Sequence, residues 1–151
     1  MRVSAKADYA VRAALQLASA ADGPVKGETI AKAQDIPLRF LENILAELRH
    51  AGLVQSQRGA EGGYWLARKP SEVKIADIIR AVEGPLASVR SERPEELDYQ
   101  GVAEPLRDVW IALRANIRDV LELVTLADVV ERDLPPSVVK LTKGDEVWEP
   151  H

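Results

Sequence analysis

The sequence predicts a mainly α-helical fold that carries one small β-hairpin. Apolar residues recur at helical spacing through most of the chain. One glycine-rich stretch, Gly59 to Gly63, separates two short β-prone segments. A second helical seam follows a charged, aperiodic gap and runs from Leu106 to Val124. Two short helices with a tight break, the second leading into a hairpin, outline a winged helix-turn-helix. The late seam adds a long helix suited to dimerisation.

The central stretch is Ile36 to Leu66. Phe40, Leu41, Ile44, Leu45 and Leu48 recur as one apolar stripe. Arg39, Glu42, Asn43, Ala46, Glu47 and His50 fall on the other side. Pro37 suits the first turn, where its missing N–H has no intrahelical partner to lose. Gly52 tolerates the left-handed dihedrals that end a helix. Residues 53–58 can run as a strand, Gly59, Gly62 and Gly63 turn the chain, and Tyr64-Trp65-Leu66 returns.

Upstream, Ser4 can cap a helix reaching about Ser19, with Tyr9, Ala10, Ala13, Ala14 and Leu17 inward. Asp22-Gly23-Pro24 reads as a turn. Lys26 to Gln34 is a short helix that stops before Asp35-Ile36-Pro37, because the residue before proline is pushed out of helical dihedrals. Downstream, Ile75, Ile78, Ile79 and Val82 mark a helix ended by Gly84-Pro85. Residues 86–103 read as an exposed loop. Then Leu106, Trp110, Leu113, Ile117, Val120 and Val124 step by four, three, four, three and four, a coiled-coil-like seam. Thr125 caps a further helix through Asp128, and the tail past Leu134-Pro135-Pro136 reads as loose. The expected division is a reader at 1–84, a loop at 85–103, dimerisation helices at 104–132 and a tail at 133–151.

Charge supports that division. The chain is net −4, yet residues 1–84 hold 12 Lys/Arg against 10 Asp/Glu, while residues 85–151 hold 8 against 14. A mildly basic front and an acidic back fit a reader joined to an assembly region. No apolar run approaches membrane-spanning length and Met1-Arg2-Val3-Ser4 starts no signal peptide, so a cytoplasmic protein with no membrane partner is expected. The absence of cysteine excludes disulfides and thiolate-held metal. His50 and His151 are too few for a metal site, and no nucleophile–base pair stands out. An enzyme is therefore not expected.

The stretch LRFLENILAELRHAGLVQSQRG..GGYWLA is similar to the signature of the Rrf-type bacterial transcription factors, the family of IscR, NsrR and CymR. The likeness begins at Lys6 to Leu17 and continues through Ile75 to Gly84. It implies a homodimer on a palindromic double-stranded DNA operator. A helix in the major groove offers its N-terminal residues to base edges, here Leu38, Arg39, Glu42 and Asn43. Arginine pairs well with guanine, asparagine with adenine, and glutamate accepts from cytosine. The resemblance places Glu42 and Asn43 at base-contacting positions, and Arg58 at the wing arginine. Gly59, Gly62 and Gly63 let the tip approach the DNA backbone, and Lys6, with Arg2 and Arg12, reaches towards phosphates. Pro37 and Arg39 stand where the family often has small polar residues, which implies a different operator. Glu61 departs from the small or proline-like residue usual at the tip. The competing reading of these polar residues is a solvated helix face.

In some relatives a carboxylate on the first helix joins loop cysteines around an iron–sulfur cluster. This chain keeps Asp8 at that place but has no cysteine, so no cofactor is expected. The reading is a homodimeric repressor without a cluster, answering to a small-molecule or protein effector. The rival reading is a winged-helix protein-interaction module acting through the acidic half. Trp65 reads as core and Trp110 as interface.

Overall fold

The computed structural model describes residues 1–20 and 23–150. Helix α1 spans Ala5–Ser19, α2 Gly27–Gln34 and α3 Leu38–His50. Strands β1 (Val54–Gln57) and β2 (Gly63–Leu66) form an antiparallel hairpin with Val54 opposite Leu66 and Gln57 opposite Gly63. Helix α4 (Ile75–Glu83) follows, then α5 (Leu106–Leu121), α6 (Leu126–Val130) and α7 (Pro136–Leu141). This is the mainly α fold with a hairpin wing. Asp22 of the expected turn and His151 lie outside the described residues.

The core sits where α1 crosses α2, α3, α4 and α6. The Ser4 hydroxyl accepts from the Ala7 amide at 3.0 Å and starts α1. Ala10, Ala13 and Ala14 are fully buried, and their small side chains let the other helices pack close. Ile30, Leu41, Ile44, Leu45, Leu48 and Ile78 fill the space around them. Both α2 and α3 end in a left-handed residue, Asp35 and Gly52. After α2, Asp35 takes φ 51° and the Ile36 amide donates to the Ala31 carbonyl at 2.9 Å. After α3, the Leu53 amide donates to Leu48 at 3.0 Å. Both are the long closing bonds of Schellman ends. Downstream, Thr125 and Asp128 cap α6 reciprocally, with bonds of 3.1 and 2.8 Å.

Four expectations change. Phe40 is 62% exposed and leaves the core stripe. Trp65 is half-buried on the hairpin, where its indole N–H donates to Gln55 across the strand pair at 2.9 Å, so it is not core. Residues 86–103 are not a uniformly exposed loop: Leu86, Pro94 and Leu97 are buried, and two short 3-10 turns, Pro94–Glu96 and Gly101–Ala103, order the path. The tail contains α7, opened by Pro136 in its first turn.

Candidate nucleic-acid interface

Helix α3 has one buried and one open face. Leu41, Ile44, Leu45 and Leu48 point into the core. Leu38, Arg39, Phe40, Glu42 and Asn43 stand exposed on its opening turns. Every side chain there that was expected to meet bases is therefore accessible, and Phe40 joins them. Periodicity missed Phe40 because an aromatic beside a stripe reads as part of it.

The wing is tied down beside α3. The Val25 and Tyr64 amides and carbonyls exchange two bonds of 2.8 Å, so the segment before α2 pairs with β2. A Cβ on Gly63 would lie 2.6 Å from the Val25 carbonyl oxygen, and its φ of 151° also disfavours a side chain. A Cβ on Gly62 would lie 2.1 Å from the Gln57 carbonyl oxygen. Gly62 is thus required by close packing inside the hairpin, and Gly63 by the close approach of the segment before α2. Lys26 Nζ donates to the Gly59 carbonyl at 2.8 Å, and Arg49 Nη1 donates to Ser56 Oγ at 3.1 Å. These two contacts hold the tip to α2 and the strand to α3. The first joins residues 33 positions apart, so no local pattern announces it. Arg58 and Gly59 are exposed at the tip.

Two of the other basic candidates are engaged, while Arg2 stands exposed. Lys6 pairs with Glu47 of α3 at 2.9 Å. Arg12 pairs with Asp8 at 2.9 Å, lies over the Tyr9 ring and donates to the Gln34 carbonyl at the end of α2. Its guanidinium thus caps the carbonyl end of α2.

Helix α5 stands apart from the core: none of its 16 residues is buried. Leu106, Trp110, Leu113, Ile117 and Val120 are only half-covered, and Val109 is 54% exposed. Val124 does not belong with them. It is 6% exposed within the chain, beyond the end of α5, and its carbonyl accepts from the Ile75 amide at 3.0 Å. Trp110 donates its indole N–H to the Tyr99 hydroxyl at 3.1 Å, which fixes the preceding segment against α5.

A family profile described as Rrf2, iron-dependent transcriptional regulator, matches residues 3–132. The chain belongs to this family. Rv1287 of Mycobacterium tuberculosis, named as a candidate HTH-type transcriptional regulator, is 55% identical over 142 residues, 93% of this chain and 88% of that protein. The Bacillus subtilis HTH-type transcriptional regulator CymR is 35% identical over 85% of this chain and 89% of its own length. The solved structure of that CymR, described as the global cysteine regulator, aligns with a TM-score of 0.74 at 34% identity, covering 87% of this chain and 98% of its own. The T. potens IscR structure aligns at 0.71 and 34%, covering 99% and 97%. This chain is accordingly an HTH-type transcriptional regulator with a winged-helix fold.

The iron in the family's description has no matching donor set here. The chain has no cysteine. Asp8 is paired with Arg12, and no group of three or more His, Asp or Glu side chains is arranged around a common point among the described residues. Isolated carboxylates are hard oxygen donors, unsuited to a sulfide-bridged cluster.

Proposed function

We propose that the chain acts as a cytoplasmic homodimeric repressor that needs no iron–sulfur cluster. Each subunit lays the opening turns of α3 in a major groove and sets Arg58 in the adjoining minor groove. The observation that carries this reading is the joint exposure of Arg39, Glu42 and Asn43 on a helix whose other face is locked in the core. The wing, anchored by Lys26 and by Val25, adds a second contact at a fixed distance from the first. Phosphate contacts supply affinity and base contacts select the sequence. The unburied α5 supports pairing of two subunits, and a pair fits a palindromic operator. Occupying a promoter in this way blocks it sterically.

The test starts with selection of bound fragments from a random DNA pool. Arg39→Ala or Asn43→Ala then relaxes the preference at one base position and costs about 1–3 kcal/mol. Arg58→Ala weakens binding with little change in sequence preference. If all three variants bind the selected fragment as tightly as the parent, this docking is wrong.

A further inference from the structure

Four guanidinium groups from three elements meet around one cavity of about 540 Å³: Arg80 on α4, Arg93 before the first 3-10 turn, and Arg114 and Arg118 on α5. Two carboxylates answer them. Glu122 accepts from Arg80 and, at 3.1 Å, from Arg118, while Glu95 accepts from Arg114. Both carboxyls are held below their usual range, Glu122 first by the Arg80 bond and Glu95 first by its backbone hydrogen bond, then by Arg114. They stay ionised at neutral pH, which leaves four positive charges against two negative ones.

A clamp between α4 and α5 would explain Arg80, Arg118 and Glu122. It does not explain Arg93, which adds its charge to the field that lowers Glu95 but forms no direct ion pair among the described residues. Nor does it explain the hollow between the arginines. Each of the three paired arginines gives a single nitrogen to these carboxylates, although a guanidinium carries five N–H donors. The location also goes against the local charge, since the half of the chain from residue 85 onward is acidic. Three of its eight cations are gathered here. One wall is apolar, made by Pro85 with the buried Leu86 and Pro94.

We propose that this cavity is an effector site for a small organic dianion, a short-chain dicarboxylate or phosphorylated acid. Guanidinium groups grip such anions through paired N–H bonds, and the apolar wall suits the carbon chain. The volume lies within the usual span of small-molecule sites, roughly 300–1,000 Å³. The ligand would bridge α4, which packs on α3, to α5. Its influence on DNA rests on the regulator reading above, whereas its binding does not.

Isothermal titration of the full chain at fixed ionic strength tests the site, with succinate, phosphoenolpyruvate and inorganic phosphate as probes and chloride as the control. The expected result is saturable binding of succinate or phosphoenolpyruvate, weakened about tenfold or more by Arg93→Ala. That variant removes no ion pair, so its melting temperature should match the parent's. Arg114→Gln should weaken binding as well; where it misfolds, Arg93→Ala decides alone. Absence of saturable binding by both organic probes, equal binding of phosphate, or an unchanged affinity in Arg93→Ala each overturns the proposal. Anisotropy with a selected DNA fragment then reads the coupling: the bound dianion should shift DNA affinity at least threefold, and no shift overturns the effector role. A chain that binds no DNA at all overturns the regulator reading, while the titration still decides the site.

Discussion

Phe40 stands beside Asn43 at the edge of the face that α3 leaves open. With about 100° between successive residues, it lies at the edge of the stripe centred between Ile44 and Leu45, and the core closes without it. An exposed phenyl ring beside the side chains proposed to read bases suits the methyl group of thymine. Replacing one thymine of a selected operator by uracil should cost the parent protein about 1 kcal/mol, the worth of one buried methyl. Phe40→Ala should be indifferent to that exchange; an equal loss in both proteins would show that Phe40 touches no methyl. Asp35 gives a second prediction at this scale. Its φ of 51° is left-handed, which aspartate tolerates and β-branched residues resist. Asp35→Val should lose about 1–2 kcal/mol in urea unfolding, and Asp35→Gly should stay within about 0.5 kcal/mol of the parent. Equal stabilities for all three would mean the joint does not need this conformation. The break itself was legible, since Pro37 forbids a continuous helix. Its handedness was not, because a left-handed residue there is usually glycine and this one is not. The wing contact from Lys26 was also illegible, being a bond across 33 positions.

Among the elements, α1 to α4 could be read because their buried residues repeat with the helix period. The segment between α4 and α5 could not. It buries Leu86, Pro94 and Leu97 without any period, holding them by short turns and by the Trp110–Tyr99 bond. The short α7 was hidden because Pro136, an acceptable first helical residue, also reads as a stop. Docking of α5 on α4 depends on the Arg80–Glu122–Arg118 group. The Glu122 carboxyl is held below its ordinary value of 4.5, so ionisation favours the folded state. That contribution is present above the unfolded value and fades as pH falls through the lower folded one. Glu122→Gln should therefore melt below the parent at neutral pH, with the gap narrowing once the pH drops below about 4.5. A gap that stays constant from pH 7 to the acid limit would remove the ion pairs from the account of this joint.

For the whole molecule, the donor set and the unburied helix lead to the two remaining expectations. Protein purified without oxygen should be colourless, and iron chelators should leave its DNA affinity unchanged. Stoichiometric iron and sulfide, with absorbance that tracks DNA binding, would contradict this. The seam on α5 was legible as a heptad run, but the run overshot: Val124 fits the spacing yet is buried within the single chain, its carbonyl bonded to the Ile75 amide at the start of α4. Spacing alone cannot tell a partner's surface from a neighbouring element. What remains for a partner is Leu106, Val109, Leu113, Ile117 and Val120, none of them buried. Trp110 is a poor site for a test, because its bond to Tyr99 makes it matter to the single chain as well. Leu113→Asp with Ile117→Asp is cleaner. In a dimer these charges would be buried unpaired, at about 2 kcal/mol or more each; in a lone subunit they remain half-exposed and cost little. The variant should therefore fold, scatter light as a monomer and lose operator binding, since one reader alone gives up the second half-site about 34 Å away. A variant that is folded and still dimeric would place the subunit contact elsewhere than α5.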